Sequence, residues 1–241
     1  MSSSTPTQRQ AALISGLAYV AIIVLAFFAN FFVLERLTDP DDAAATVGDI
    51  AGSELLFRGG VVAFIVVFIL DVVVAWGLYI FLRPAGRELS LFAAWFRLIA
   101  ATVSLAALLN LLIAAKLVDD TGYPVGQRSA HVMLFLDAYT YGWSIGLVCF
   151  GVHLLLLGLL IVRSDHAPRL LGILVAVAGL AYVVGKLASV LLPDHNDTFL
   201  LLIAVLAIPG EFGLTGWLLW RGGKDTPTSH QQPEVATTGT A

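Results

Sequence analysis

An all-α integral membrane bundle of six helices is the fold class this sequence predicts, on three observations. Only 12% of its residues are charged and 59% are hydrophobic, whereas about one quarter of a soluble domain is charged. The apolar residues gather into six runs, each long enough to cross a bilayer. Arg-rich turns alternate with acidic loops between the runs, as successive sides of a membrane would require. No soluble fold could keep that much apolar surface wet, so the lipid bilayer is the partner the composition demands. The net charge of −4 comes mostly from loop carboxylates, which argues against a nucleic-acid partner. The single cysteine, Cys149, lies inside an apolar run and rules out a disulfide framework or a cysteine metal site. No Gly-rich phosphate loop or α/β pattern is present, and no cofactor is called for.

Residues 1–10 are polar and Ser/Thr-rich, with Arg9 their basic side chain. The first span is predicted over 11–34. It is too long for the apolar core of a signal peptide, and no small-residue cleavage site follows, so it is expected to be retained. Asp39-Pro40-Asp41-Asp42 then predicts an N-cap at Asp39, proline in the first turn and a surface helix over 40–50. The second span, 59–82, holds Asp71. A tight basic turn from Arg83 to Arg87 leads to the third span, 89–115, which contains Arg97 and Asn110. A polar loop with Gly122-Tyr123-Pro124 as punctuation follows.

Residues 129–162 read as one continuous helix, although about 51 Å of helix outruns a bilayer. Tyr139, Tyr141 and Trp143 therefore read as an interfacial belt, which sets the fourth span at 141–162 and leaves His131 and Asp137 as surface residues. A second basic turn, Arg163 to Arg169, leads to the fifth span, 170–192. Pro193 to Asp197 forms the next turn, and the sixth span is 198–220. The membrane domain thus covers 11–221, and residues 222–241 are predicted to be a disordered cytoplasmic tail.

Six spans put both termini on one side. Arg9, Arg83, Arg87, Arg163, Arg169, Arg221 and Lys224 share that side, against Arg36, Arg58, Lys116 and Arg128 opposite. The excess predicts cytoplasmic N- and C-termini. Spans two, four and six then run the same way, and they share a template. Asp71 is followed by Gly77 and Arg83, His153 by Gly158 and Arg163, Glu211 by Gly216 and Arg221. Each ionisable residue stands roughly 15–18 Å of helix from its terminal arginine, about half the hydrocarbon thickness. Asn30, Asn110 and Lys186 form a weaker echo toward the outer ends of the odd spans. Together these suggest a threefold pseudo-repeat of helical hairpins, a feature of transporter folds.

Several segments also carry a family likeness. They are Asp42-Ala-Ala-Ala-Thr46, Ser53-Glu-Leu-Leu-Phe-Arg58, Leu82-Arg-Pro84, Trp95-Phe-Arg97, Tyr141 through His153, Pro168-Arg-Leu-Leu-Gly172 and Pro209-Gly-Glu211. Through them the chain, from about residue 10 to 221, resembles the domain-of-unknown-function 4386 family of bacterial membrane proteins. The resemblance implies a polytopic protein of the bacterial plasma (inner) membrane and brings no reaction or substrate with it.

A charged group at mid-membrane costs about 2.5–3.5 kcal/mol on insertion scales, so Asp71, Arg97, His153, Lys186 and Glu211 must pair or shed charge. Asp71 and Arg97 flank one short hairpin, and an ion pair between them is the expected contact. The alternative for Arg97 is to snorkel to the interface. Glu211 and His153 could share a hydrogen bond, with Pro209-Gly210 loosening the helix beside them. Lys186 shares a face with Gly172, Ala176, Gly179 and Val183, a stripe suited to close helix packing, and could meet Asn110 or the Tyr182 hydroxyl. Trp95-Phe96-Arg97 and Trp217 to Trp220 read as interfacial anchors.

Three functions can be built on this cluster. A structural role, with the polar residues fixing helix packing in a membrane protein of unassigned activity, ranks first. A small proton-coupled transporter using Asp71, His153 and Glu211 ranks second. Third is an intramembrane metal enzyme at the same residues, although one His without a His-x-x-x-His partner is a poor zinc signature. Metal occupancy, substrate and oligomeric state are left open by the sequence.

Overall fold

In hydrocarbon a backbone amide has no water to bond, so each segment must satisfy its own polar groups. The computed structural model, which describes residues 7–120, 122–164 and 167–220, meets that demand with helices alone among those residues. Helix α1 is Gln8–Phe27 and continues through a π-helical segment, Phe28–Leu34, to a last turn, Glu35–Leu37. A short helix α2 follows (Ala43–Gly52), then α3 (Glu54–Leu82), α4 (Arg87–Val118), α5 (Val125–Arg163), α6 (Arg169–Leu191) and α7 (Asn196–Trp220). All but α2 are long and apolar enough to cross a membrane. The protein is an all-α membrane bundle. Residues 1–6, Arg221 and the tail predicted over 222–241 lie outside the described residues.

The spans close a ring. Helix α1 packs on α3, and each helix from α3 to α6 packs on the next in sequence. Helix α7 then returns to α1. The closure has a polar lock at the basic end: Arg9 donates to the backbone oxygens of Leu218 (3.2 Å) and Leu219 (2.9 Å). Those carbonyls lie at the C-terminal end of the described part of α7, where a cation suits the helix dipole.

Close approach between neighbours is made by glycine. A Cβ at Gly158 would stand 2.6 Å from Gly172 O, and one at Gly179 would stand 2.5 Å from Leu155 N. The stripe predicted on α6 is therefore the face on which α5 lies, backbone against backbone. The three template glycines, by contrast, do not share a role. Gly77 receives Ser15 of α1, Gly158 receives α6, and Gly216 has nothing within 4 Å among the described residues.

Three local expectations are corrected. The α2 cap is Asp42, whose carboxylate accepts from Ala44 N (3.0 Å) and Ala45 N (2.8 Å). Asp39 is held instead in a turn, accepting from Asp41 N and bonded at its backbone to Thr46 Oγ1. The helix accordingly starts at Ala43. Second, Tyr139 and Trp143 are not a belt. Helix α5 continues to Val125 because α2 and the end of α4 cover its extension with Val47, Ile50, Leu111 and Val118. Tyr139 is thereby only 6% exposed, with its ring near Phe64 and Trp143, while Tyr141 remains 67% exposed. Third, α7 runs through Pro209 unbroken. The adjacent Gly210 serves packing, since a Cβ there would meet Leu174 O at 2.8 Å.

The π-helical segment also has a local cause. The Asn30 side chain donates to Ala26 O at 2.9 Å, an acceptor of the α-register ladder, and Glu35 N bonds back five residues to Asn30 O.

Buried apolar side chains form two clusters, not one. The cluster at the basic end includes Leu78, Phe81, Leu157, Leu160 and Leu218. The cluster at the other end includes Phe57, Phe64, Leu108, Leu111 and Val132. The ionisable midspan residues lie at the seam between them.

Candidate functional site

Arg97 is the hub of that seam. It is the largest fully buried side chain among the described residues, 1% exposed, so it does not snorkel and is no interfacial anchor. A guanidinium sealed from water needs partners for its charge. Nη2 donates to Asp71 Oδ1 at 2.5 Å, and Nη1 donates to the Tyr19 hydroxyl at 2.5 Å. Nη1 also stands 3.2 Å from His153 Nε2. The cation is flanked by aromatic rings, with Cζ 4.6 Å from the Tyr19 centroid and 5.3 Å from that of Phe150. Nε has no hydrogen-bond partner among the described residues.

This geometry fixes the state of His153. Guanidinium nitrogens can only donate, so Nε2 must accept. Its Nδ1, 2.8 Å from Ala93 O, must then carry the proton and donate. His153 is the neutral Nδ1–H tautomer, with both nitrogens engaged, and is a positioning group for Arg97. It does not reach Glu211, and the expected contact between those two is not formed.

Glu211 bonds elsewhere. The Tyr182 hydroxyl donates to its Oε1 at 2.9 Å, across α6 and α7. Asn110 donates to Ala107 O of its own helix at 3.1 Å. Neither Tyr182 nor Asn110 therefore serves Lys186, which is 7% exposed on α6. Trp217 packs inward against Phe81, while Trp95 is exposed.

The two polar groups, Arg97–Asp71–Tyr19 and Glu211–Tyr182, meet at a cavity of about 190 Å³. Its apolar wall includes Ile22, Phe68, Trp143 and Phe150, and with Arg97, Tyr182 and Glu211 all six long helices contribute to the lining. Above the polar residues the walls rise toward the end opposite the basic turns, through Ala26, Val67 and Ser104. On the other side of His153 the packing is tight. Leu78, Leu157, Leu160 and their neighbours leave no space there for a water molecule. Asp71 keeps 15% of its side chain exposed against 1% for Arg97, so the carboxylate is the accessible half of the pair.

Asp71, Arg97 and Glu211 thus share one cavity, and His153 sits behind it. Sequence reasoning passed over Tyr19, Phe68 and Phe150. A signal existed for Tyr19, a phenol in the middle of an apolar run and well away from any interface. The aromatic residues gave none, because a ring in a spanning helix is ordinary. No group of three or more His, Cys, Asp or Glu side chains that could hold a metal ion occurs among the described residues. The donor chemistry agrees: Arg97 occupies the His153 lone pair that a metal would need.

Similarity to known proteins places the chain in a family without naming an activity. The model of a family described as "Domain of unknown function (DUF4386)" matches residues 14–222. An "Uncharacterized protein" of Archaeoglobus fulgidus is 29% identical over 164 residues, which cover 68% of this chain and 84% of that relative. No solved structure matches.

Proposed function

The chain belongs to the DUF4386 family, whose function is unassigned, and from that premise we propose a small proton-coupled solute transporter of the bacterial plasma membrane. The supporting observation is the cavity itself, lined from all six long helices, polar at its floor and bounded below by packing around His153 that leaves no room for water. Binding sites at the bilayer midplane, reached from one side at a time, are what alternating access requires. A purely structural polar layer would have no use for such a space beside it.

The roles divide between the two polar groups. Arg97, Asp71, Tyr19 and His153 form a mutually bonded set that holds α1, α3, α4 and α5 together. Glu211 is the proton carrier. Its hydrogen bond comes from the neutral hydroxyl of Tyr182, so it can gain or lose a proton without breaking an ion pair. The ionisable groups facing it are Tyr19, Asp71, Arg97 and Tyr182, all on the same cavity.

In this proposal the protein is multi-pass, with both termini in the cytoplasm, as the arginine-rich turns at 83–87 and 163–169 favour. A C-terminal green fluorescent fusion is expected to fluoresce and a C-terminal alkaline phosphatase fusion to be inactive; the opposite pair of results would reverse the orientation.

The activity test uses proteoliposomes loaded with a pH-sensitive dye and challenged with a panel of small solutes. At least one solute is expected to move protons, and Glu211→Gln is expected to lower that flux by at least about tenfold. The variant keeps the Tyr182 bond, so monodisperse protein is expected. Wild-type flux in Glu211→Gln, or no proton movement with any solute, would reject the transporter.

A further inference from the structure

We infer that the central cavity takes a small organic monocation, an amine or quaternary ammonium with apolar substituents, its charge set against Glu211 and its apolar part against Phe68 and Trp143. This deepens the transporter proposal and rests on the same cavity. Charge comes first. The formal charges facing the space are one cation, Arg97, and two carboxylates, Asp71 and Glu211. Asp71 is matched by Arg97 at 2.5 Å. The Glu211 carboxylate has only the Tyr182 hydroxyl as a hydrogen-bond partner among the described residues. One negative charge therefore remains for a ligand or a proton to neutralise, and an anion would meet two carboxylates.

The walls then choose among cations. A bare metal ion wants several oxygen ligands, whereas this cavity offers mostly rings and aliphatic carbons. Rings attract organic cations through their faces, tryptophan most strongly. The guanidinium of Arg97 already engages the rings of Tyr19 and Phe150. Phe68 and Trp143, with centroids 5.8 Å apart, line the rest of the space and carry no such cation. A volume of about 190 Å³ suits a single-ring or short branched ammonium.

The same ammonium chemistry occurs on lipid headgroups. The position of the site favours a free solute. Glu211 stands ten residues before Arg221 in sequence, about 15 Å of helix from the interface, and a headgroup would have to leave its own layer to reach it.

The test is equilibrium binding of benzyltrimethylammonium to the purified full-length protein in phosphatidylglycerol nanodiscs, followed by titration calorimetry. Saturable binding is expected, with no binding of benzenesulfonate, its anionic counterpart of similar shape. Glu211→Gln and Trp143→Leu are each expected to weaken binding by about tenfold or more. If one variant is not monodisperse, the other still decides. Undiminished binding in a folded variant, preference for the sulfonate, or no binding of the ammonium would overturn the inference. Repeating the titration in phosphatidylcholine nanodiscs should leave the affinity unchanged, and loss of binding there would overturn the assignment to a solute. Because the assay reads binding and no flux, the two proposals fail separately. Proton flux with other solutes would spare the transporter if the ammonium does not bind. Glu211-dependent ammonium binding without flux would spare the ligand class alone.

Discussion

Arg97→Leu is expected to cost the protein about 3–5 kcal/mol, the penalty for removing one partner of a buried ion pair. Three acceptors lose their donor at once: the Asp71 carboxylate, the Tyr19 hydroxyl and His153 Nε2. They belong to three different helices, so the loss spreads over the bundle. A lower yield of monodisperse protein and a lower melting temperature in detergent should both be seen. Arg97→Lys should not restore stability, because an ammonium has neither the planar fork nor the ring-stacking surface of a guanidinium. The double variant Arg97→Leu with Asp71→Leu should recover a large share of it, since the Asp71 carboxylate is then not left buried without its cation. An Arg97→Leu protein as stable as wild type would show that the hub does not hold the helices together.

Gly179→Val carries the second large effect. The new Cβ would lie 2.5 Å from Leu155 N and 2.6 Å from Gly151 O, and backbone cannot swing aside as a side chain can. Helices α5 and α6 must separate, at about 1–3 kcal/mol for overpacking. The separation also pulls apart Phe150 and Tyr182, whose rings are 5.6 Å apart, and so disturbs the partner of Glu211. A thermal shift accompanied by weaker ligand binding is the expected result. Gly216→Ala is the control. With nothing within 4 Å of the added methyl, melting should be unchanged or slightly raised by the better helix propensity of alanine. Equal destabilisation by the two substitutions would mean that close helix approach is not what Gly179 provides.

The contrast between these glycines shows how far a sequence pattern can be carried. Gly77, Gly158 and Gly216 occupy like places in three like helices, yet each meets a different environment. Recurrence along a chain fixes depth and leaves rotation about the helix axis free. The same holds for Asp71, His153 and Glu211. Their common depth could be deduced, and Asp71 with Arg97 could be paired across a short hairpin, because chain connectivity brings adjacent spans together. The partner of Glu211 could not be deduced. It depends on which face of α7 meets α6, and Gly210 against Leu174 O decides that.

The aromatic belt failed for a related reason. Tyr139 and Trp143 have the composition of an interface, but whether such a residue meets headgroups or protein depends on what covers it. Here α2 and the end of α4 cover the extension of α5, and a length argument about one helix could not include them. The cap of α2 was displaced on a smaller scale by the same kind of competition, with Thr46 engaging Asp39 and leaving Asp42 to the helix amides.

By itself, then, the sequence determined an all-α membrane bundle, the six apolar runs and the Asp71–Arg97 pair. All of these follow from quantities that add along a chain: hydropathy, length and adjacency. Only the tertiary structure decided that Tyr19 and His153 complete the Arg97 hub, that Tyr182 belongs to Glu211, and that a cavity separates the two groups. Those facts depend on how six helices are rotated and how closely they approach, which is set by steric fit between surfaces that no single segment contains.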